Sequence, residues 1–337
     1  MISSGERRLP PLLVIAGATA TGKTSLSLAI ADRLGSVGRR AEVVSADSRQ
    51  VYRGLDIGTA KVAAADRARI RHHGLDLVEP DEPFSVAHYV AAASSALAGI
   101  AERRALAILV GGTGLYLRAL ARGLPTDELP ADAAVRASIE AEIAERGLPA
   151  AAARLARLAP LAAARIDRRN PRRVARALEV AVLAGDRPPP QPRGYAGPSG
   201  WIGLAVAADV HRRWIASRAT AQFAGGLIAE AAALRERFDP ALRAFSAIGY
   251  REAWAVLDGA LSIEQAIELD RVRNVAFAAH QRTWFRPEPG VTWLDAEDAA
   301  SAVATGLELA HRLLDGWDVT VGSADGRVRQ SRVSRQD

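Results

Sequence analysis

Four short apolar runs set the rhythm of the chain: 11–16 (PLLVIA), 41–46 (AEVVSA), 106–112 (LAILVGG) and 202–208 (IGLAVAA). Each is β-prone, and helical patterns lie between them. The first three run directly into polar or glycine-rich turns, the order expected of a parallel sheet with right-handed crossovers. Ligands bind at the carboxyl ends of strands in such sheets, so the turns 17–24, 47–50 and 111–114 are expected to share one crevice. From Leu124 to Gly185 the strands stop, and alanine, leucine and arginine recur at helical spacing. A Pro/Gly-rich stretch, GDRPPPQPRGYAGPSG (185–200), closes this segment and cannot be helix or central strand. Helical patterns return at 211–237, 246–286 and 297–315. The expected organisation is a discontinuous core, 8–123 plus 200–316, with a helical insertion and connector at 124–199. Residues 318–337 carry little apolar content and are expected to be a disordered tail.

Composition narrows the chemistry. None of the 337 residues is cysteine, which excludes disulfides, thiolate metal sites and thiol nucleophiles, and the six histidines show no metal-ligand spacing. Any metal is expected to be a hard cation held by oxygens. No apolar run reaches the roughly 18–20 residues of a membrane span, and MISSGERRLP lacks the apolar region of a secretory signal, so a cytoplasmic protein is expected. The net charge of +6 fits a polyanionic partner but points to it only weakly. More telling is that Lys23 and Lys61 are the only lysines among 44 basic residues. A coding bias accounts for the arginine excess, and a lysine that persists against it marks a place where a compact point charge is needed.

Residues 17–24 read Gly-Ala-Thr-Ala-Thr-Gly-Lys-Thr and fit G-x-x-x-x-G-K-[ST] in full, after a strand and before an amphipathic helix. The fold class expected is therefore α/β, a P-loop NTPase-like parallel sheet flanked by helices, with a helical insertion domain. In such a loop Gly17, Ala18, Thr19, Ala20, Thr21 and Gly22 turn backbone N–H groups inward, the helix N-terminus adds about half a positive charge, Lys23 reaches the terminal phosphates, and Thr24 can ligate Mg²⁺. The loop alone does not choose between ATP and another diphosphate ester.

The second turn places Asp47 at the mouth of the crevice. A carboxylate there can bind Mg²⁺, act as a base on a nucleophile, or cap the next helix. Ser48, Arg49 and Gln50 crowd donors and acceptors onto the same turn, and glutamine suits an adenine edge. Lys61 closes the block DSRQVYRGLDIGTAK.

Taken in order, the loop 17–24, ADSRQVYRGLDIGTAK, LVGGTGLYLRAL (109–120), RRNPRRVARALEV (168–180), AIGYREA (247–253) and QRTWFR (281–286) resemble the bacterial tRNA dimethylallyltransferases over about residues 11–315. The resemblance implies transfer of a dimethylallyl group from dimethylallyl diphosphate to N6 of adenosine 37 of tRNA, with Mg²⁺. It implies a loop that holds the diphosphate, and Asp47, Thr113, Lys23 and Arg218 as catalytic residues. The implied tRNA contacts are Asp47, Ser48, Arg49, Gln50 and Thr113; Arg136; Arg172, Arg173, Val174, Ala175 and Arg176; Ala247, Ile248, Gly249, Tyr250, Arg251 and Glu252; and Gln281, Arg282 and Arg286. It further implies the anticodon stem-loop as partner; the lack of an apolar span leaves no membrane expected, and a monomer is expected. Asn170 and Pro171 read as N-cap and N1 of a helix that puts Arg172 and Arg176 on one face and Val174, Leu178 and Ala181 on the other.

Two departures from the family pattern stand out. Where two arginines four apart are typical, this chain has Trp214 and Arg218, which leaves Arg218 as the expected diphosphate clamp. Before QRTWFR, Val275, Ala279 and His280 stand where basic residues are common, so weaker or more salt-sensitive RNA contact is expected there unless Arg271, Arg273 or the basic tail substitutes. The zinc finger of eukaryotic members is absent, as zero cysteines requires. Of the rival readings, a kinase requires an arginine-rich lid and an acceptor site and a GTPase requires N-K-x-D, none of which this sequence shows, and a purely RNA-binding protein leaves the phosphate loop and Asp47 idle.

Overall fold

A computed structural model describes residues 9–126, 128–188 and 191–333, with side chains as far as residue 318. The chain divides into two units, Met1–Arg122 with Tyr195–Asp337, and Gly123–Gly194.

The first unit is built on six parallel strands in the order β3-β2-β4-β1-β5-β6. These are β1 (Leu12–Gly17), β2 (Ala41–Ser45), β3 (His72–His73), β4 (Leu106–Gly111), β5 (Ser199–Ala205) and β6 (Val291–Asp295). Every residue of β1 and β4 is buried, because both faces of the sheet are covered. Leu12, Val14 and Ala16 pack into one core with Val44, Leu109 and Trp201. Leu13 and Ile15 pack into the other with Val43, Ile108 and Ile202. Each such leucine, valine or isoleucine contributes about 1.5–3 kcal/mol on burial, which fixes the strand register that the site depends on.

The helices of this unit are α1 (Lys23–Ser36), α2 (Ala64–Arg69), α3 (Val86–Glu102), α4 (Gly114–Ala121), α9 (Ala208–Ala224), α10 (Leu227–Arg237), α11 (Tyr250–Leu257), α12 (Ile263–Phe285) and α13 (Ala299–Val333). The second unit holds α5 (Ala133–Arg146), α6 (Leu148–Leu158), α7 (Pro160–Ala163) and α8 (Pro171–Ala184) around Ile139, Leu155, Val174 and Leu178.

The sequence pattern predicted four strands, and the structure adds two at the sheet edges. β3 has only two residues, too few for a run. β6 is mostly exposed, so VTWLD lacks a continuous apolar signature. The fourth predicted strand begins three residues earlier than expected, at Ser199, inside the Pro/Gly-rich stretch. The helical pattern 211–237 breaks at Gly225 and Gly226, the latter left-handed with φ 105°. The last helix runs on to Val333, past the boundary predicted at 318, since propagation from a packed helix costs little once its nucleus is formed. Residues 334–337 of the predicted tail lie outside the described residues.

Candidate active site

β1 lies between β4 and β5, so the chain reverses its direction of travel across the sheet at this point. The loop 18–22 leaves β1 here and opens α1. Gly22 (φ 81°) and Ala20 (φ 57°) are both left-handed, a conformation that costs a non-glycine residue about 1 kcal/mol or more and turns successive N–H groups inward. Thr21 is buried and its hydroxyl donates to the Ala18 carbonyl at 2.9 Å, so it shapes the loop from within. Lys23 folds back over the loop, its Nζ donating to the Ala18 carbonyl at 2.6 Å. Burial, reinforced by Arg218 and partly offset by Asp47, pushes the Lys23 ammonium down to about 8.

The three turns expected to converge do so around a cavity of about 160 Å³, lined by residues 19–24, Asp47, Gln50, Gly111, Gly112 and Arg218, among others. Two glycines make that possible. A Cβ at Gly111 would overlap the Ala46 carbonyl, and one at Gly114 would overlap the Trp284 ring. β4 can therefore bring Thr113 against the Asp47 turn, where the Thr113 hydroxyl accepts the Ser48 N–H at 2.9 Å. Asp47 Oδ1 accepts the Arg49 N–H at 2.8 Å, which orients the carboxylate on its turn.

Arg218 comes from α9, a helix the loop does not itself form. Its Nη1 donates to Thr19 Oγ1 at 2.5 Å, while its Nε is buried with no partner. Burial pushes the Arg218 guanidinium down, opposed by Asp47 and Asp270. A buried cationic donor aimed at a phosphate-type loop suits an anionic oxygen. Thr24, exposed in the first turn of α1, and Asp47 are both oxygen donors on the cavity wall. That set fits Mg²⁺ carried chiefly by substrate phosphates, which needs only one or two protein oxygens.

Several expected contacts turn out to be committed inside the protein. Gln50 accepts from Ser45 Oγ at 2.9 Å and donates to the Thr59 and Ala60 carbonyls, so its amide holds the loop that follows rather than standing open for an adenine. Lys61 is buried, and its Nζ donates to Tyr52 O, Asp56 and Asp76 at 2.6, 2.8 and 2.5 Å. Three N–H donors of one compact ammonium meet three acceptors that converge on it, a geometry suited to a point charge, which gives the second lysine a structural role.

The 56–58 stretch is gripped by Glu230, whose carboxylate accepts the N–H groups of Asp56, Ile57 and Gly58 and the Tyr250 hydroxyl. Gln222 donates to the carbonyls of Ile57 and Gly58. Tyr250 is therefore a buried part of this grip. Glu252 is likewise buried, accepting the Gly249 N–H at 2.9 Å and pairing with Arg273. Ala247 and Gly249 are buried too, Ile248 is half-buried, and Arg251 alone of 247–252 is exposed. Gln281 is buried beneath the loop, and Arg282 and Arg286 are exposed. The suggested substitutes Arg271 and Arg273 are engaged with Glu268 and Glu252.

The IPP transferase model matches residues 50–288. A tRNA dimethylallyltransferase of Anaeromyxobacter sp. (strain K) is 47% identical over 301 residues, 87% of this chain and 95% of that protein. The chain belongs to the IPP transferase family. The crystal structure of a full-length tRNA isopentenylpyrophosphate transferase from Bacillus halodurans is 37% identical with TM-score 0.63, covering 90% of this chain and 98% of that one. A Staphylococcus epidermidis tRNA delta(2)-isopentenylpyrophosphate transferase is 28% identical with TM-score 0.59, covering 94% and 99%.

In this member of the IPP transferase family, the helical unit carries its arginines in two states. Asn170 caps α8 by accepting the Arg173 N–H, and Pro171 takes N1, as the sequence predicted. Glu179 is fully buried and receives Arg136 in fork geometry at 2.9–3.0 Å, Arg176 at 2.7 Å and the Asp132 N–H at 2.9 Å. Burial works against the Glu179 carboxylate, but these hydrogen bonds outweigh it and hold the group below the usual range. Arg176 also donates to the carbonyls of Leu129 and Pro130. Val174 and Ala175, expected among RNA contacts, pack into the core of the unit because they lie on the inward face of α8. Arg165, Arg168, Arg169, Arg172 and Arg173 face solvent. Sequence reasoning missed Glu179, Glu230 and His211; the signal for Glu179 was a lone carboxylate on an otherwise apolar helix face, three residues from an arginine.

Proposed function

We propose that this chain transfers the dimethylallyl group of dimethylallyl diphosphate to N6 of adenosine 37 in tRNA, releasing diphosphate, and works in the cytoplasm as a monomer. The observation that carries the reading is a phosphate loop at which two half-buried cations, Lys23 of the loop and Arg218 of α9, face Asp47 across one small cavity. The Lys23 ammonium, the inward N–H groups and Arg218 neutralise charge that builds on the diphosphate as the allylic C–O bond breaks. Mg²⁺ at Thr24 supplies further neutralisation of the leaving group when bound. The adenine N6 forms the new C–N bond, and Asp47 takes the proton that the amine must lose, a contribution of about 10²- to 10⁴-fold. Thr113 holds the Asp47 turn through Ser48, so its hydroxyl sets where that carboxylate points.

A stacked, paired adenine cannot enter such a cavity, and turning a base out costs less in a loop than in a helix, which favours the anticodon loop as substrate. The exposed arginines 165–173 of the helical unit suit the phosphates of the stem. The test is to incubate the protein with Mg²⁺, dimethylallyl diphosphate and unmodified tRNA, then digest the RNA and locate the added mass. Addition confined to the fragment holding adenosine 37 supports the reading. An unmodified fragment, or addition elsewhere, overturns it.

A further inference from the structure

Thr19, at the centre of the diphosphate loop, has all three of its polar groups held from outside the loop. Its N–H donates to Gln281 Oε1 at 2.8 Å, its carbonyl faces His211 Nε2 at 2.8 Å, and its hydroxyl accepts from Arg218 at 2.5 Å. The partners come from α9 and α12 alone. We propose that Gln281 and His211 are positioning residues that brace Thr19 and set the loop for the leaving diphosphate, so that QRTWFR works on the loop from beneath. The inference rests on the reading of this loop as the diphosphate site.

The geometry leaves each brace one orientation. Gln281 is 5% exposed, and its Nε2 donates to the Gly112 carbonyl at 2.9 Å, which commits Oε1 to the Thr19 N–H. A Cβ at Gly112 would overlap that Nε2, so the glycine after β4 makes room for the glutamine of α12. Two sequence motifs about 170 residues apart are thus halves of one contact. His211 is 1% exposed. Because its Nε2 faces a carbonyl, Nε2 carries the hydrogen, and Nδ1 accepts from Arg282 Nη1 at 2.9 Å. Burial holds the ring below the usual histidine range, the Thr19 carbonyl opposes this, and the charges of Arg282 and Lys23 add to it.

The consequence is a division of labour within the loop. The Thr19 N–H points at Gln281, which leaves the remaining amides for the ligand. The neighbouring left-handed Ala20 is a conformation that persists only where its surroundings over-determine it, and the three bonds to Thr19 supply that determination. A loop fixed in advance spends none of the ligand's binding energy on ordering. A Gln281 that met RNA would need an exposed amide, and this one is enclosed at both ends.

The test separates the two substrates. Gln281→Met keeps the volume and removes both hydrogen bonds; His211→Leu removes the ring's; His211→Gln retains a donor at the Nε2 position. KM for dimethylallyl diphosphate at saturating tRNA, KM for tRNA at saturating diphosphate substrate, and tRNA affinity alone are measured for each, with a thermal melt to check folding. Gln281→Met and His211→Leu are expected to raise the diphosphate KM by about tenfold or more while tRNA affinity stays within about twofold. His211→Gln is expected to recover most of the loss. A rise in tRNA KM with unchanged diphosphate KM overturns the inference, as does equal loss in His211→Leu and His211→Gln. Should Gln281→Met melt early, the His211 pair carries the test alone. A wild-type protein with no transfer at all overturns the underlying reading instead.

Discussion

The cations at the cavity of the sheet unit and those of the helical unit are treated in opposite ways. At that cavity, Lys23 and Arg218 are half-buried and, among the described residues, neither makes an ion pair with a carboxylate; carbonyl and hydroxyl oxygens hold them instead. In the helical unit, Arg136 and Arg176 share the buried Glu179, and Arg165, Arg168, Arg172 and Arg173 stand in water. Buried charge without a counter-charge is costly, and the cost is offset when a polyanion arrives. Solvated arginines cost nothing to keep and bind only as strongly as salt permits. On the proposed function, one region suits a small, densely charged ligand and the other a long, diffuse one.

The sharpest break of this comparison is Asp47→Ala, which removes the carboxylate that faces both cavity cations. Transfer is expected to fall by at least about 10²- to 10⁴-fold, with tRNA affinity within a few fold, as read by product nucleoside and by filter binding. Full activity in this variant would place the base elsewhere.

Next in size is the response of the sheet unit to pH. Burial pushes the Lys23 ammonium down to about 8, so the charged form that the proposed function pairs with diphosphate predominates below that value and is withdrawn above it. The KM for dimethylallyl diphosphate is expected to rise by up to about tenfold per pH unit above 8, and to be weak and flat with pH in Lys23→Met. A flat wild-type profile between pH 7 and 9 would show that Lys23 is not the controlling charge.

How much of this contrast could be read from residues alone follows from where each signal lies along the chain. The loop 17–24, the Asp47 turn and the Gly-Gly-Thr turn are contiguous patterns, and their convergence follows from parallel topology. The α8 cap was equally legible, because capping acts within four residues. Edge strands escaped because β3 is too short and β6 too exposed to leave a run. His211, Glu179 and Glu230 escaped because each is a single polar residue whose partners lie far away in sequence. Gln281, Gln50 and Tyr250 were read as outward contacts on the strength of their motifs, whereas burial turns them inward to hold the loops on which other residues act.

A smaller effect is expected at Glu179. Replacing it with alanine strands Arg136 and Arg176, which are partly exposed, so the helical unit should lose about 2–3 kcal/mol, measured by protease susceptibility or a thermal melt. Because its carboxyl is held low in the folded state, this stabilisation is complete above the unfolded value near 4.5 and fades as pH falls through the lower folded value. Smallest is Arg172→Ala with Arg173→Ala, both exposed on α8. Folding and the diphosphate KM should be unchanged, while the slope of log tRNA affinity against log salt should flatten by about 0.9 for each phosphate that is no longer neutralised. An unaltered slope would mean that this face of α8 meets no RNA.

The most direct test of the account is the stoichiometry of a single turnover. Enzyme in excess over unmodified tRNA, with labelled dimethylallyl diphosphate and Mg²⁺, is quenched over time, and diphosphate and isopentenyladenosine are counted together. The account predicts one diphosphate per modified adenosine, no diphosphate release without tRNA, and no phosphate from ATP offered in its place. Diphosphate released without modified nucleoside, or ATP turned over at the same loop, would contradict it.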